Sequence, residues 1–267
     1  MTPPARPLRV AYITCDTQEW FDLAARLRDT RGWEPVYWIT EPRAESYLRD
    51  RFPGVVTHSR YDAYHMVPPA DHADLQTVLV DEALLSQYHE AELVALKMMD
   101  VMDSVDAFDY NARRRFFHQR LAYWLSTMER VQPDVCVFAF SAHVIYDYLI
   151  YAWCRLHGRR TIMLENTFNF ALLMAFEDPL MGSVEIAEAY DRLIAGGAHE
   201  APVDLPEYCE RHLARVRGPY KDAVPWYMKD QFKAFPKRIS RKLYQGEERR
   251  RRPGSWVSRL YGRRGGS

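Results

Sequence analysis

The polar residues best suited to chemistry in this sequence follow short apolar runs. Ser141 and His143 follow the run VCVFAF, and Glu165 and Asn166 follow a second run, TIML. Asp16 comes just after the first apolar run of the chain, LRVAYIT. Carboxylates and hydroxyls hydrogen-bond to hydroxyl groups, and a neutral histidine or a carboxylate can act as a general base. These residue types predict a ligand site but do not by themselves name the reaction.

Strands and helices that alternate along the chain would bring these residues together. Residues 133–167 read as a buried strand, a polar turn, a helix and a second buried strand, which is typical of a parallel crossover. Residues 8–14, 33–40 and 55–58 predict three further strands with helices between them. Ligands of such sheets bind beyond the carboxyl ends of the strands. We therefore expect an α/β fold with a doubly wound, Rossmann-like, mainly parallel sheet, helices on both faces and a C-terminal helical extension.

Each candidate residue also has a purely structural interpretation. Asp16 could cap the helix that follows it, with Glu19 completing a capping box, and this alone would explain an aspartate there. His143 could simply bond to a neighbouring carbonyl group, whereas at a helix start it could also serve as a base. Glu165 must either meet a donor or face the cleft. Asp178 lies in an EDP turn, and we keep it with Ser141, Glu165 and Asn166 as a candidate substrate-binding residue.

Several common sites are excluded or disfavoured by the motifs. The sequence contains no GxGxxG and no GxxxxGK[ST], so a standard dinucleotide or P-loop site is not expected. His58, His65 and His72 recur every seven residues, but in a segment that reads as a loop, where that spacing has no geometric meaning. We expect no metal and no cofactor beyond a co-substrate.

The remaining segments predict helices, loops and a basic end. Residues 61–81 read as a long loop, 82–131 as two helices and 168–183 as a lid or a core loop. Residues 237–267 hold eleven Lys or Arg and two Glu, a net charge of +9, in a chain whose total is zero. We expect a Rossmann-like domain over 1–200, a helical linker over 201–245 and a disordered basic tail over 246–267.

Two blocks of the sequence resemble a known class of protein. They are LRVAYITCDTQEWF and PDVCVFAFSAHVIYDYLIYAWCRLHGRRTIMLENTF. Over residues 8–245 the chain resembles the N-terminal, Rossmann-like half of bacterial capsular and surface polysaccharide biosynthesis proteins of the glycosyltransferase-B type. The resemblance implies two such halves, the first contacting the acceptor and the second holding a nucleotide-sugar. A second half is missing here, which implies a truncated protein or a donor-binding domain on another polypeptide.

Three functions follow as hypotheses. The first is the acceptor-side half of a nucleotide-sugar-dependent glycosyltransferase, with His143 or Asp16 as the base and a saccharide or lipid-linked acceptor. The second is a non-catalytic binding or scaffold module of a polysaccharide assembly machine. The third, a transferase with another nucleotide donor, is disfavoured by the missing phosphate loop. We expect a cytoplasmic protein that uses its basic tail to meet the anionic inner membrane, and no nucleic-acid partner.

Overall fold

Strands and helices alternate over most of the residues that the structure describes. The computed structural model describes residues 6–103, 108–166, 173–197 and 204–219. The strands are β1 (Leu8–Ile13), β2 (Trp33–Thr40), β3 (Val56–Ser59), β4 (Val135–Phe138), β5 (Arg160–Asn166) and β6 (Leu173–Phe176). The helices are α1 (Gln18–Arg31), α2 (Glu45–Arg51), α3 (Arg60–His65), α4 (Glu82–Gln87), α5 (His89–Met102), α6 (Tyr110–Val131), α7 (Ile145–Leu156), α8 (Val184–Ala195) and α9 (Glu207–Arg217).

The six strands form one mostly parallel sheet in the order β3-β2-β1-β4-β5-β6. The pairs β3–β2, β2–β1, β1–β4 and β4–β5 are all parallel. The chain builds outward from β1 to β3, then returns to the other side of β1 to place β4 and β5. The order therefore reverses between β1 and β4, which is where sheets of this kind hold their ligands. This confirms the predicted α/β class with a mainly parallel, Rossmann-like sheet.

The sequence explains why β1 lies in the middle of the sheet. Val10, Ala11, Tyr12 and Ile13 are completely buried, so both faces of the strand are covered. A strand covered on both faces needs such an unbroken apolar run. Tyr12 stacks on the buried Trp38 of β2 with ring centroids 4.2 Å apart, which ties the two central strands together. The sheet thus gives the residues that follow β1 and β4 a rigid base.

Segments outside the first strands differ from the sequence-based expectations. Residues 61–81 were expected to form only a loop, but they contribute to helix α3 and to a 3₁₀ turn at Ala70–His72. The buried His58 ring holds this segment to the sheet, because its Nε2 lies 2.8 Å from the carbonyl oxygen of Val67. Within residues 82–103 and 108–131, which the structure describes, there are three helices rather than the expected two.

Strand β6 lies in the segment for which we expected a lid or a core loop. The carbonyl oxygen of Glu177, just after β6, accepts a hydrogen bond from the Thr161 hydroxyl near the start of β5. The Glu177 side chain also pairs with Arg160 at 2.8 Å. The end of β6 therefore lies beside the beginning of β5. Residues 168–172 of the expected lid fall outside the described residues.

The chain divides into two compact units. The first comprises Met1–Glu165 and Met174–Val184, and the second comprises Asn166–Leu173 and Glu185–Ser267. The predicted basic tail and most of the predicted helical extension lie outside the described residues, so the expected domain boundaries stay predictions. None of the helices in the described ranges is both long and apolar enough to cross a membrane.

Candidate functional site

The turn after β4 is fixed by a contact with the end of β5. The backbone N–H of Ser141 donates to Glu165 Oε2 at 3.1 Å, and the Ser141 hydroxyl donates to the same oxygen at 2.6 Å. A carboxylate at the end of an apolar strand needs such donors, because burying it without partners costs free energy. Glu165 therefore holds the turn in place. A direct contact between Glu165 and a ligand stays a prediction.

His143 lies in this turn, and one of its ring nitrogens is hydrogen-bonded within the turn. Its Nδ1 lies 2.7 Å from the carbonyl oxygen of Ser141. A carbonyl oxygen can only accept a hydrogen bond, so in the neutral ring Nδ1 carries the proton and donates. Nε2 then bears the lone pair, as a general base requires. The side chain is 66% exposed, so this base is open to a ligand.

Asp147, which the sequence analysis did not include, completes the group around His143. It lies on the first turn of α7, and its carboxylate accepts from the backbone N–H groups of Val144 at 2.9 Å and His143 at 3.3 Å. Its Oδ2 lies 3.9 Å from His143 Nδ1. Burial raises the pKa of Asp147 to about 7, against the opposing effect of His143. The i, i+4 spacing from His143 at a predicted helix start was the signal that could have revealed it.

We call Ser141, His143, Asp147 and Glu165 the histidine cluster. Its members are joined by hydrogen bonds that run mainly through the backbone of residues 141–144. Backbone groups are held by the strand and helix that flank them, so the cluster is preorganised rather than assembled by flexible side chains. Its chemistry is that of an oriented base beside a carboxylate.

Asp16 belongs to a second group on the other side of the point where the strand order reverses. Its Oδ1 accepts from the backbone N–H of Glu41 at 3.0 Å, and its Oδ2 lies 3.6 Å from Arg60 Nη1. The same guanidinium contacts the Glu41 carboxylate. Burial is the main reason that the pKa of Asp16 is raised. We call Asp16, Glu41 and Arg60 the ion-pair cluster.

The structure corrects the helix-capping interpretation of Asp16. The N-cap residue of α1 is Thr17, and no side chain caps that end of the helix. Asp16 instead fastens the end of β1 to the end of β2, through the Glu41 backbone. The sequence analysis did not consider Glu41 and Arg60. Their signal was similar to that of Asp16: each is the first residue after its strand, and Asp16 is the third residue after β1.

The two clusters follow neighbouring strands. The N–H of Ala139 donates to the carbonyl oxygen of Ile13 at 3.1 Å, so β1 and β4 are still paired where they end. Tyr146, on the first turn of α7, interacts electrostatically with an aspartate of each cluster. Burial raises its pKa most, and the charges of Asp147 and Asp16 raise it further. Its ring stacks on Trp124 of α6, with centroids 5.5 Å apart.

Asp178 and Asn166 do not join this arrangement in the described contacts. Asp178 accepts from the backbone N–H of Leu180 at 2.8 Å and lies 4.0 Å from Arg155, near the C-terminal end of α7. It follows Glu177, whose contacts are with the start of β5, whereas the histidine cluster lies at the strand ends. Asn166 belongs to the second compact unit, and its side chain is not described.

The three histidines with regular spacing each contact other groups of the protein, and two of them share Tyr37. The two ring nitrogens of His58 contact the Tyr37 hydroxyl at 2.5 Å and the Val67 carbonyl oxygen at 2.8 Å. His65 bonds to the carbonyl oxygen of Tyr61. His72 is buried and stacks on Tyr37. Within the described ranges, no three His, Cys, Asp or Glu side chains form a group that could hold a metal ion.

Comparisons of the chain with protein-family models, with curated proteins and with solved structures gave no match. The fold itself defines the class, an α/β protein with a six-stranded, mostly parallel, Rossmann-like sheet. Function must therefore be argued from the two clusters at the carboxyl ends of its strands.

Proposed function

We propose that this chain is the acceptor-side half of a nucleotide-sugar-dependent glycosyltransferase in capsular or surface polysaccharide biosynthesis. The observation that supports it most is the fixed orientation of His143. Its Nδ1 donates to the Ser141 carbonyl oxygen, and its Nε2 is left as a base at the ligand-binding edge of a parallel sheet. Glycosyl transfer needs such a base for the acceptor hydroxyl. The resemblance of the two sequence blocks to glycosyltransferase-B proteins agrees with this role.

The chemistry of the histidine cluster can be written in a few steps. In an inverting transfer, His143 Nε2 takes the proton of the acceptor hydroxyl as the oxygen attacks the anomeric carbon of the donor. The bond from that carbon to the nucleotide breaks, and the nucleotide leaves with the electron pair. The imidazolium that forms lies 3.9 Å from Asp147, where its positive charge favours the ionised carboxylate, and the two opposite charges then stabilise each other. Asp16 is the second candidate base, on the opposite side of the reversal point.

The charge of the edge favours an acceptor over a donor at this site. Asp16, Glu41, Asp147 and Glu165 bring four carboxyl groups there, and Arg60 is the one cation among the residues of the two clusters. The negative charges of a nucleoside diphosphate would be repelled by the carboxylates at such an edge. The sequence also has no glycine-rich loop to hold phosphates. Under this proposal, a second domain or subunit binds the nucleotide-sugar.

A non-catalytic binding module is the second candidate, and the missing phosphate-binding loop favours it. The same edge could hold a saccharide without transforming it, and the basic tail would then recruit the saccharide to the assembly machinery. In that case His143 contributes hydrogen bonds and no proton transfer. The two candidates therefore differ in a measurable way.

The test measures release of free nucleotide from a panel of UDP- and CMP-sugars. The full chain is incubated with membranes of its source organism, which supply the acceptor and any donor-binding subunit. We expect release that depends on the added chain and that falls about a hundredfold or more with His143→Ala. The matched control is His157→Ala, at the other end of α7. Nucleotide release that does not depend on the added chain would contradict catalysis and leave the non-catalytic binding module as the remaining candidate.

The proposal also includes the arrangement of the whole chain. We propose a doubly wound sheet with helices on both faces, followed by the helical extension and the basic tail. The protein is proposed to lie in the cytoplasm and to touch the inner membrane through residues 237–267. Basic residues near an anionic leaflet gain about 1 kcal/mol each, and the apolar residues between them can insert shallowly.

Sedimentation with anionic lipid vesicles tests the membrane contact. The full chain is compared with a chain that ends at Ala234, at low and at high salt. We expect only the full chain to sediment with the vesicles, and less of it as salt shortens the Debye length. Equal sedimentation of the two chains would remove the membrane role.

A further inference from the structure

We propose that the ion-pair cluster of Asp16, Glu41 and Arg60 binds the vicinal diol of an uncharged saccharide moiety. This inference rests on the proposed function, since it names the chemical class of ligand on the β1–β3 side of the same edge. The geometry that carries it is a half-exposed guanidinium held between two carboxylates, with one of them too far away for a direct hydrogen bond.

The cluster is built from the ends of three neighbouring strands. Asp16 follows β1, Glu41 follows β2 and Arg60 follows β3. The three strands are parallel and adjacent, so their ends meet at one edge. The backbone N–H of Glu41 donates to the Asp16 carboxylate. The backbone of one acidic residue therefore holds the side chain of the other in place. Residues far apart in sequence thus form one polar surface without entering the core.

The contacts within the cluster are unequal. Arg60 contacts the Glu41 carboxylate closely, but its Nη1 stays 3.6 Å from Asp16 Oδ2. A direct hydrogen bond between nitrogen and oxygen spans about 2.7 to 3.2 Å. Asp16 Oδ2 is therefore not hydrogen-bonded by Arg60, although it lies beside an Arg60 side chain that is 45% exposed. A group that both donates and accepts would fit between them better than the two fit each other.

A hydroxyl group is that kind of bridging group. It can donate to Asp16 Oδ2 and at the same time accept from the Arg60 guanidinium. A second hydroxyl on the adjacent carbon can donate to the Glu41 carboxylate. Hydrogen bonds to charged groups are the stronger ones, so a pair of hydroxyls gains from both carboxylates. The arrangement matches a vicinal diol.

Charge selects against an anion at this cluster. Two carboxylates surround one guanidinium, which gives a net charge of −1 when all three are ionised. A phosphate or a sugar acid would have to displace a carboxylate from Arg60. An uncharged diol keeps the ion pairs and adds hydrogen bonds. The diol can belong to a hexose of the acceptor or to the ribose of a nucleoside, and the experiment distinguishes these sources.

The experiment is ligand-observed saturation-transfer NMR on the full chain. The probes are methyl α-glucopyranoside, uridine, 2′-deoxyuridine and inorganic phosphate, the last observed by phosphorus NMR. The variants are Glu41→Gln and Asp16→Asn, each checked for folding by circular dichroism. The matched control is Glu45→Gln, a glutamate on α2 whose partner is Arg49. Failure of either cluster variant to fold still leaves the probe comparison on the unaltered chain.

We expect the glucoside, or uridine but not 2′-deoxyuridine, to bind the unaltered chain. Each cluster variant should weaken that binding about tenfold or more, as expected for a lost hydrogen bond to a charged group, and the control should not. If uridine and 2′-deoxyuridine bind equally well and the glucoside does not bind, the proposal that the cluster recognises a vicinal diol is overturned. Phosphate binding in place of the neutral probes would show an anion site and overturn the proposal.

The outcomes separate this inference from the proposed function. Neutral saccharide binding that persists in both variants overturns the assignment to the ion-pair cluster and leaves the glycosyltransferase proposal intact. No binding of any neutral probe overturns the diol subsite, while nucleotide release in the membrane assay would still support the transferase.

Discussion

The two sides of the carboxyl edge are built differently. In the histidine cluster, Ser141 and Asp147 tie side chains to backbone groups, which the adjacent strand and helix hold in place. In the ion-pair cluster the Glu41 backbone holds Asp16, but the other contacts are ion pairs between side chains around the half-exposed Arg60. A backbone-held group keeps its geometry, whereas exposed ion pairs contribute little and adapt to a ligand. The first suits a base that must be oriented, and the second suits recognition of a substrate.

The largest expected effect follows from removing the oriented base. His143→Ala should lower kcat about a hundredfold or more, whereas Arg60→Gln should mainly raise KM. Steady-state kinetics of the membrane-supplemented reaction measures both. A His143→Ala protein with near-normal turnover would show that the two clusters do not divide catalysis and binding in this way.

The next effect concerns the buried Asp147. Its folded-state pKa of about 7 lies above its ordinary value near 4, so the folded protein keeps a proton that the unfolded chain has released. The contribution to stability is greatest below that ordinary value and is lost as pH rises towards 7. Asp147→Asn removes this dependence. Between pH 5 and pH 8 we expect the free energy of unfolding of the unaltered protein to fall by about 2 to 3 kcal/mol relative to that of the variant.

Urea denaturation at both pH values tests this shift, with Asp178→Asn as the control on a carboxyl group that is not part of either cluster. A difference between the Asp147 variant and the unaltered protein that is the same at pH 5 and pH 8 would contradict the raised pKa. The cluster would then hold a permanently charged aspartate beside His143.

A smaller loss is expected from Glu165→Ala. This change leaves the N–H and the hydroxyl of Ser141 without their shared acceptor. We expect a loss of about 1 to 2 kcal/mol in the free energy of unfolding. Glu177→Ala, a change at a glutamate that is 63% exposed and paired with Arg160, is the control and should cost less. Equal losses would show that Glu165 does not hold the turn.

The smallest effect on stability should come from Arg60→Gln. Exposed ion pairs contribute between 0 and about 1 kcal/mol, so the midpoint of urea denaturation should hardly change. A loss above about 2 kcal/mol would contradict the contrast between the clusters, because it would make Arg60 a structural residue.

The sequence was most informative where local patterns determine structure. The apolar runs of β1 and β4 and the glycine after α1 identify elements by their own composition, and Gly32 adopts the left-handed conformation that ends such a helix. These elements place Asp16, Ser141 and His143 at strand ends, and the parallel direction of β1 and β4 agrees with the predicted mainly parallel sheet.

Contacts between distant segments were harder to foresee. Arg60 reaches Asp16 and Glu41 only because β3, β2 and β1 are neighbours in the sheet, and no local pattern specifies that order. The role of Glu165 in holding Ser141 likewise depends on the pairing of β4 with β5. The bond from His58 to Val67 orders a segment whose prolines and scattered polar residues are typical of a loop.

The protonated ring nitrogen of His143 tests the central claim most directly. Nitrogen-15 chemical shifts of the histidine rings, recorded at alkaline pH and assigned by comparison with His143→Ala, report which nitrogen carries the proton. We expect a proton on Nδ1 and an unprotonated Nε2, because the Ser141 carbonyl oxygen can only accept a hydrogen bond. A proton on Nε2 would mean that this nitrogen cannot act as the base, and would contradict the proposed role of His143.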